Sequence, residues 1–326
     1  MSSRRFAIPA LCFAILVILL SPYIGARFIS PFDVLGVLSE AESMEARIFW
    51  TLRIPRVILA WCAGASFGIC GMMCQALFRN PLAEPSLLGV SSGAALGAAS
   101  AIRIGLSGAL AIPASAFVGA LAAVGIITSF AKIARSTRDA TLLLAGIAIS
   151  ALFSSAIMVI QYTGGAAESF RLLSWTMGGI SAVGMREGLG ALPSLVISLT
   201  LAMVYSTELD LITFGDEIAA TRGVDLDRTR RRLYAGVSLA VAIVVANCGP
   251  IGFLGLIAPH VARRITGPGH RLLAPVTAIS GGTALVICDT AARTLWAPAD
   301  IPVGIIISFL GAPFFLWLLF APRGSR

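Results

Sequence analysis

The residues that could do chemistry are few and unevenly placed. Between Thr207 and Arg232 the chain reads TELDLITFGDEIAATRGVDLDRTRRR, the one long polar island in an otherwise apolar sequence. Such a stretch can present a short helix to a cleft on a soluble partner. Elsewhere the inventory is thin. The two histidines, His260 and His270, belong to no His/Asp/Glu constellation of the kind a membrane enzyme needs. The six cysteines (Cys12, Cys62, Cys70, Cys74, Cys248, Cys288) lie in or beside apolar runs without CxxC spacing. They read as small buried side chains rather than metal ligands or a disulfide framework. No GxxxxGK[ST] motif occurs, so the chain has no phosphate-cradling loop, and any ATP it depends on is bound by another polypeptide. No catalytic residue, metal ligand or bound cofactor is expected of this subunit.

Composition decides the solvent. With 57% hydrophobic residues, 12% charged and a mean hydropathy of +0.91, the 326 residues carry too few charges to cover a water-facing surface. The apolar runs approach the roughly 20 residues a helix needs to cross about 30 Å of hydrocarbon, and they lack the alternation of a membrane barrel. The expectation is an all-α polytopic membrane protein, a single transmembrane domain over residues 1–326 with a cytoplasmic segment at 207–232. The net charge of +8 does not point to nucleic acid, because the basic residues form short clusters between apolar runs. The N-terminus, MSSRR followed by Phe6–Leu20, has no convincing cleavage site and is read as a retained first span rather than a signal peptide.

Six spans are expected before the island: about Phe6–Ile24, Ile54–Phe78, Ser86–Ile102, Leu110–Ile133, Ala140–Tyr162 and Gly188–Tyr205. After it, Leu233–Asn247 and Gly252–Ile265 are each short and are separated by Cys248-Gly249-Pro250. A hairpin of two spans keeps Arg230–Arg232 and Arg263/Arg264 on one face, where a single kinked helix would split them. Spans at about Leu272–Ala292 and Val303–Phe320 bring the total to ten. With the N-terminus inside, Arg4, Arg5, Arg79, Lys132, Arg135, Arg138, Arg222, Arg228, Arg230, Arg231, Arg232, Arg263, Arg264, Arg271, Arg323 and Arg326 are cytoplasmic, 16 of the 24 basic residues. Arg27, Arg47, Arg53, Arg56, Arg103, Arg171, Arg186 and Arg293 fall outside. The bias places both termini and the island in the cytoplasm.

The spans are rich in glycine, alanine and serine, as in GAALGAASA at Gly93–Ala101, which lets helix backbones approach closely in lipid. Ionisable residues are almost absent from span centres; Asp289 is the main exception and is read as a polar packing or outer-mouth residue beside Arg293. That scarcity weighs against the competing class, an ion-gradient-driven secondary transporter of a small organic solute. Three stretches break helices at membrane depth: Arg79–Pro85, Cys248-Gly249-Pro250 and Ile257-Ala258-Pro259-His260. Irregular backbone is tolerated there when it is buried in protein or lines a wet cavity.

Six ordered motifs carry a resemblance: LRIPR (Leu52–Arg56), GMMCQALFRNPLAEPSLLGVSSGAALG (Gly71–Gly97), GPIGFLGLIAPHVAR (Gly249–Arg263), GHRLLAP (Gly269–Pro275), CDTAAR (Cys288–Arg293) and IPVGIIISFLGAPFFLWLL (Ile301–Leu319). Together they resemble the FecCD-type permeases, membrane subunits of bacterial ABC importers for iron-siderophores, haem and cobalamin. The resemblance implies ten helices per subunit in the type II importer architecture. It further implies a second permease subunit, read as a homodimer, two cytoplasmic ATPase subunits, and a periplasmic binding protein outside the bacterial inner membrane. It assigns ATPase coupling to Gly215, Asp216, Glu217, Ala219, Ala220, Arg222 and Gly223, with Arg222 standing where the family usually has an apolar residue. It assigns docking of the binding protein to Arg53, Arg56 and Arg293. Gln75, Asn80, Pro81, Pro85, Gly89, Gly249, Pro250, Pro259 and His260 shape the helix breaks along the pathway. The path itself is implied to run along the fifth and tenth helices, with a lid near Phe170–Gly179 and a constriction near Arg135–Thr141. Which chelate is carried is not legible.

Overall fold

A computed structural model describes residues 3–25, 27–31, 34, 44–106, 108, 110–133 and 139–320. Among them the regular structure is helical throughout, without strands. The sequence opens on α1 (Ser3–Leu20). The hub is α2 (Met44–Leu77), 34 residues with a π-helical turn at Phe49–Arg53, followed by a stretch from Pro55 to Leu77 that is almost entirely buried. Its length of about 50 Å exceeds the hydrocarbon core. It packs against six later helices among the described residues.

The rest follow as α3 (Val90–Arg103), α4 (Ala111–Ile133), α5 (Asp139–Thr163), α6 (Ala166–Thr176), α7 (Leu192–Val204), α8 (Ser206–Phe214) and α9 (Asp216–Thr221). Then come α10 (Leu226–Cys248), α11 (Leu254–Thr266), α12 (His270–Ala292) and α13 (Val303–Phe320). Among the described residues six segments are long and apolar enough to cross a membrane: Met44–Leu77, Ala111–Phe130, Leu144–Thr163, Met185–Val204, Leu226–Cys248 and His270–Ala292. Pro9–Tyr23 and Val303–Trp317 are shorter apolar helices. At 14 and 13 residues, α3 and α11 span only about 20 Å each.

One expectation needs correction here. The stretch expected as a short span at Leu233–Asn247 is a full 23-residue helix, because it starts earlier: Asp225 accepts the amide of Arg228 at 3.1 Å and the basic run Arg228–Arg232 is helical. α10 and α11 are separate helices, as two segments joined by a turn require, and α11 packs on α2 and α12. Arg230 pairs with Asp216, Asp216 also meets Arg79 just beyond the end of α2, and Arg263 donates to Gln75 in the last turns of α2. The two basic clusters therefore share one end of the bundle.

Small residues set the packing. An α-carbon substituent at Gly64 would lie 2.4 Å from the carbonyl oxygen of Gly281, and one at Gly93 2.5 Å from that of Gly119. The tightest approach joins α2 to α11: a Cβ on Gly71 would stand 2.0 Å from the carbonyl oxygen of Gly255. Both groups are backbone, so neither can swing away. Gly71→Ala is expected to destabilise the bundle by about 3 kcal/mol, the upper range for overpacking, read as a lowered unfolding midpoint in detergent or nanodiscs. A wild-type midpoint would show that the approach is looser than described.

Candidate functional site

The polar island folds into two short helices and the start of a third. At the junction of α8 and α9, Gly215 has φ 133° and ψ 153°, a conformation L side chains avoid. Asp216 opens α9 and is bound by Arg230 at 3.0 and 3.2 Å, with Arg79 at 3.9 Å, so the helix is tied to α10 and to the loop after α2. The helix stops in a Schellman motif: Gly223 N–H donates to Ala220 at 2.9 Å, Val224 N–H to Ala219 at 3.1 Å, and Gly223 takes φ 83°.

Burial separates the faces of this segment. Glu217, Ala220, Arg222 and Gly223 are exposed, whereas Ala219 is fully buried against the bundle and presents nothing outward. Ile218 takes its place on the surface at 48% exposure, one turn from Phe214 at 72%. Neither residue was singled out by sequence reasoning. The available signal was a pair of apolar residues at i, i+4 spacing within a polar stretch. An exposed apolar pair ringed by Glu217 and Arg222 is suited to a protein contact.

At the opposite end, the three arginines are held within the chain. Arg56 forms a bidentate pair with Asp289 (Nε 3.0 Å, Nη2 2.8 Å) and a second with Asp300 (2.8 and 3.0 Å). Asp289 is 1% exposed and Asp300 57%. Asp289 also lies 3.8 Å from Arg293, whose Nη2 bonds the carbonyl and hydroxyl of Ser21 at 2.7 and 2.8 Å. Arg53 donates to the carbonyls of Pro22 and Arg27. Asp289 is thus a buried anchor for two arginines, and Arg56 alone of the three reaches an exposed carboxylate. Beside it opens a cavity of about 750 Å³ lined by Arg56, Arg171, Trp175, Arg186, Asn247 and Asp300.

The helix breaks meet in the interior. From Phe78 the loop is stiff: Arg79 is left-handed (φ 47°), Asn80 N–H bonds Gln75, Asn80 Oδ1 receives Leu82 N–H at 2.9 Å, and Pro81 follows Asn80 in the turn. A 3₁₀ turn at Pro85–Leu88 and Gly89 (φ 71°) lead into α3. Glu84 lies partly buried in this loop. After α10, Gly249 (φ 68°) and Pro250 carry non-helical backbone to Phe253, itself left-handed at φ 63°. Gly178, just past α6, lies against the Pro250 carbonyl; Gly179 N–H bonds Cys248, and Gly304 N–H bonds Gly178. These segments frame an open groove lined by Thr176, Met177, Gly252, Ser308, Phe309 and Pro313. The region expected as a lid therefore touches the broken backbone and α13. One expected break is absent: α11 continues through Pro259 to Thr266, and His260 rests edge-on against Phe314 at 5.8 Å. Within the expected constriction, Arg135–Arg138 lie outside the described residues.

Residues 13–321 match the model of the FecCD transport family. The chain is 41% identical over 272 residues, 83% of its own length and 73% of the relative, to the cobalamin import system permease protein BtuC of Halobacterium salinarum. It is 38% identical over 284 residues, 86% and 85% of the two lengths, to the hemin transport system permease protein HmuU of Yersinia pestis. Among solved structures it superposes with a TM-score of 0.87 at 26% identity on an inward-facing metal-chelate type ABC transporter, covering 97% of this chain and 99% of the other.

Proposed function

Since the chain belongs to the FecCD transport family, we propose that it is the membrane-spanning permease of an ATP-driven importer that brings a metal chelate (an iron-siderophore, haem or cobalamin) from a periplasmic binding protein into the cytoplasm. The assembly comprises two permease subunits, two copies of this chain, with two cytoplasmic ATPase subunits in the bacterial inner membrane. Ten helical segments cross, α3 and α11 being short crossings completed by the loops that precede them, and both termini face the cytoplasm.

The observation that carries this reading is the α8–α9 corner. It sets an exposed Phe214/Ile218 pair with Glu217, Ala220 and Arg222 on the basic end of the bundle, and the chain has no phosphate loop of its own. A conformational change in the ATPase reaches the bundle through this corner because Asp216 is tied to Arg230 and Arg79. ATP shifts the equilibrium between outward- and inward-open forms only through contacts that differ between them. At the outer end, Arg56 exchanges Asp300 for a carboxylate of the docking lobe, while Arg53 and Arg293 hold the platform beneath it. Such charge pairs steer encounter and fix register. The chelate passes along the groove beside Pro250 and Phe309.

Affinity isolation of the tagged chain from the membranes of its own cells tests the assembly. The expected result is co-isolation of a Walker-motif ATPase in equal number. Isolation without any ATPase, under conditions that preserve the permease pair, contradicts it.

A further inference from the structure

One backbone partner that α11 needs is missing from its own sequence. The carbonyl of Gly255 would ordinarily accept from the residue four positions later, but that residue is Pro259, which has no N–H.

Gln75 supplies the missing donor. Its Nε2 reaches the Gly255 carbonyl at 3.2 Å, from a side chain only 5% exposed, and the bare Gly71 one turn earlier lets the two helices approach closely enough for it. The amide can point only one way, because its Oε1 receives Arg263 Nη2 at 3.0 Å near the other end of α11. What the first turn holds is a wall: Phe253 stands directly against Gly311 of α13, where a Cβ would fall 2.5 Å from that of Phe253, and α13 forms the far side of the Gly252–Phe309 groove.

We propose that Gln75 is a positioning residue that fixes the first turn of α11, and with it the groove wall, by supplying from outside the backbone donor that Pro259 cannot provide. The holding stands on its own geometry; that it governs passage of a chelate rests on the reading of the groove as part of the path.

The test is hydrogen exchange on the full chain in lipid nanodiscs, with a rescue built from the chemistry. Gln75→Met is expected to speed exchange of the 253–258 amides at least tenfold, with the Val90–Arg103 peptide unchanged. Pro259→Ala returns an N–H to the helix, so Gln75→Met with Pro259→Ala is expected within about twofold of the wild type. Unchanged exchange in Gln75→Met, or a failure of Pro259→Ala to restore it, would overturn the proposal. This assay needs no ATPase and no chelate. In the assembled transporter, the ATP hydrolysed per chelate imported is expected to rise at least threefold in Gln75→Met and to return in the rescued variant. An unchanged ratio alongside the exchange result would contradict the role in transport while leaving the holding intact.

Discussion

Changing Glu217 to Lys together with Ala220 to Trp is expected to abolish ATP-driven uptake while the protein still inserts and assembles as a bundle. Both side chains are exposed on α9, so neither substitution disturbs the core. The first reverses a charge beside the Phe214/Ile218 pair and the second places a bulky ring where a close protein contact needs a small residue. Loss of a central contact of this kind costs roughly 2–4 kcal/mol, a fall of about 30-fold to 1000-fold in productive association. Uptake into vesicles carrying the full assembly measures it, with membrane content of the variant as the control. Wild-type uptake by the double variant would remove α9 from the coupling role. Ala219→Trp is a poor alternative, because Ala219 faces the bundle and that variant would report packing rather than coupling.

Removal of the Asp289 carboxylate is expected to have the largest effect on stability. Asp289 is 1% exposed and lies within 3.0 Å of two nitrogens of Arg56 and 3.8 Å from Arg293. Asp289→Ala leaves charge withdrawn from water without its counterion, and breaking a buried pair from one side costs about 3–5 kcal/mol. Replacing Arg56 as well, as in Asp289→Leu with Arg56→Met, is expected to recover the part of that loss due to Arg56, since an apolar pair needs no desolvation, while Arg293 keeps its bonds to Ser21. Denaturant unfolding in micelles checks both. Equal stability of Asp289→Ala and the wild type would mean that Arg56 is satisfied by Asp300 alone.

Much of this architecture was legible because membrane folding obeys coarse rules. Hydropathy located the apolar segments, and the charge clusters grouped Arg230 with Arg263 at one end, as the Asp216 and Gln75 contacts place them. What failed to show were features set by distant residues or by very short elements. A hydropathy reading starts α10 where the apolar run starts, near Leu233; the helix begins at Leu226 because Asp225 caps a basic turn that is stable at a polar end. Six residues are too few to display a periodicity, so the sequence does not reveal that α9 turns Ala219 inward and Ile218 outward. Pro259 marks a break in sequence, yet the helix runs on, because the donor to Gly255 comes from Gln75, 180 positions away. The resemblance gives Arg56 and Arg293 as docking groups, and the bonds of Arg56 to Asp289 and of Arg293 to Ser21 form only once α1, α2 and α12 meet. The family motifs, by contrast, were long and ordered enough that the match over residues 13–321 agrees with them along nearly the whole chain.

The central claim is that this chain conducts a chelate only when a separate ATPase drives it. Proteoliposomes containing the purified chain decide it, assayed for accumulation of cyanocobalamin, hemin and a ferric hydroxamate, with and without its ATPase, its binding protein and ATP. Accumulation of at least one of these chelates is expected only when all three are present, and none with the chain alone under an imposed proton or sodium gradient. Gradient-driven accumulation by the chain alone, with no ATPase and no ATP, would contradict the account.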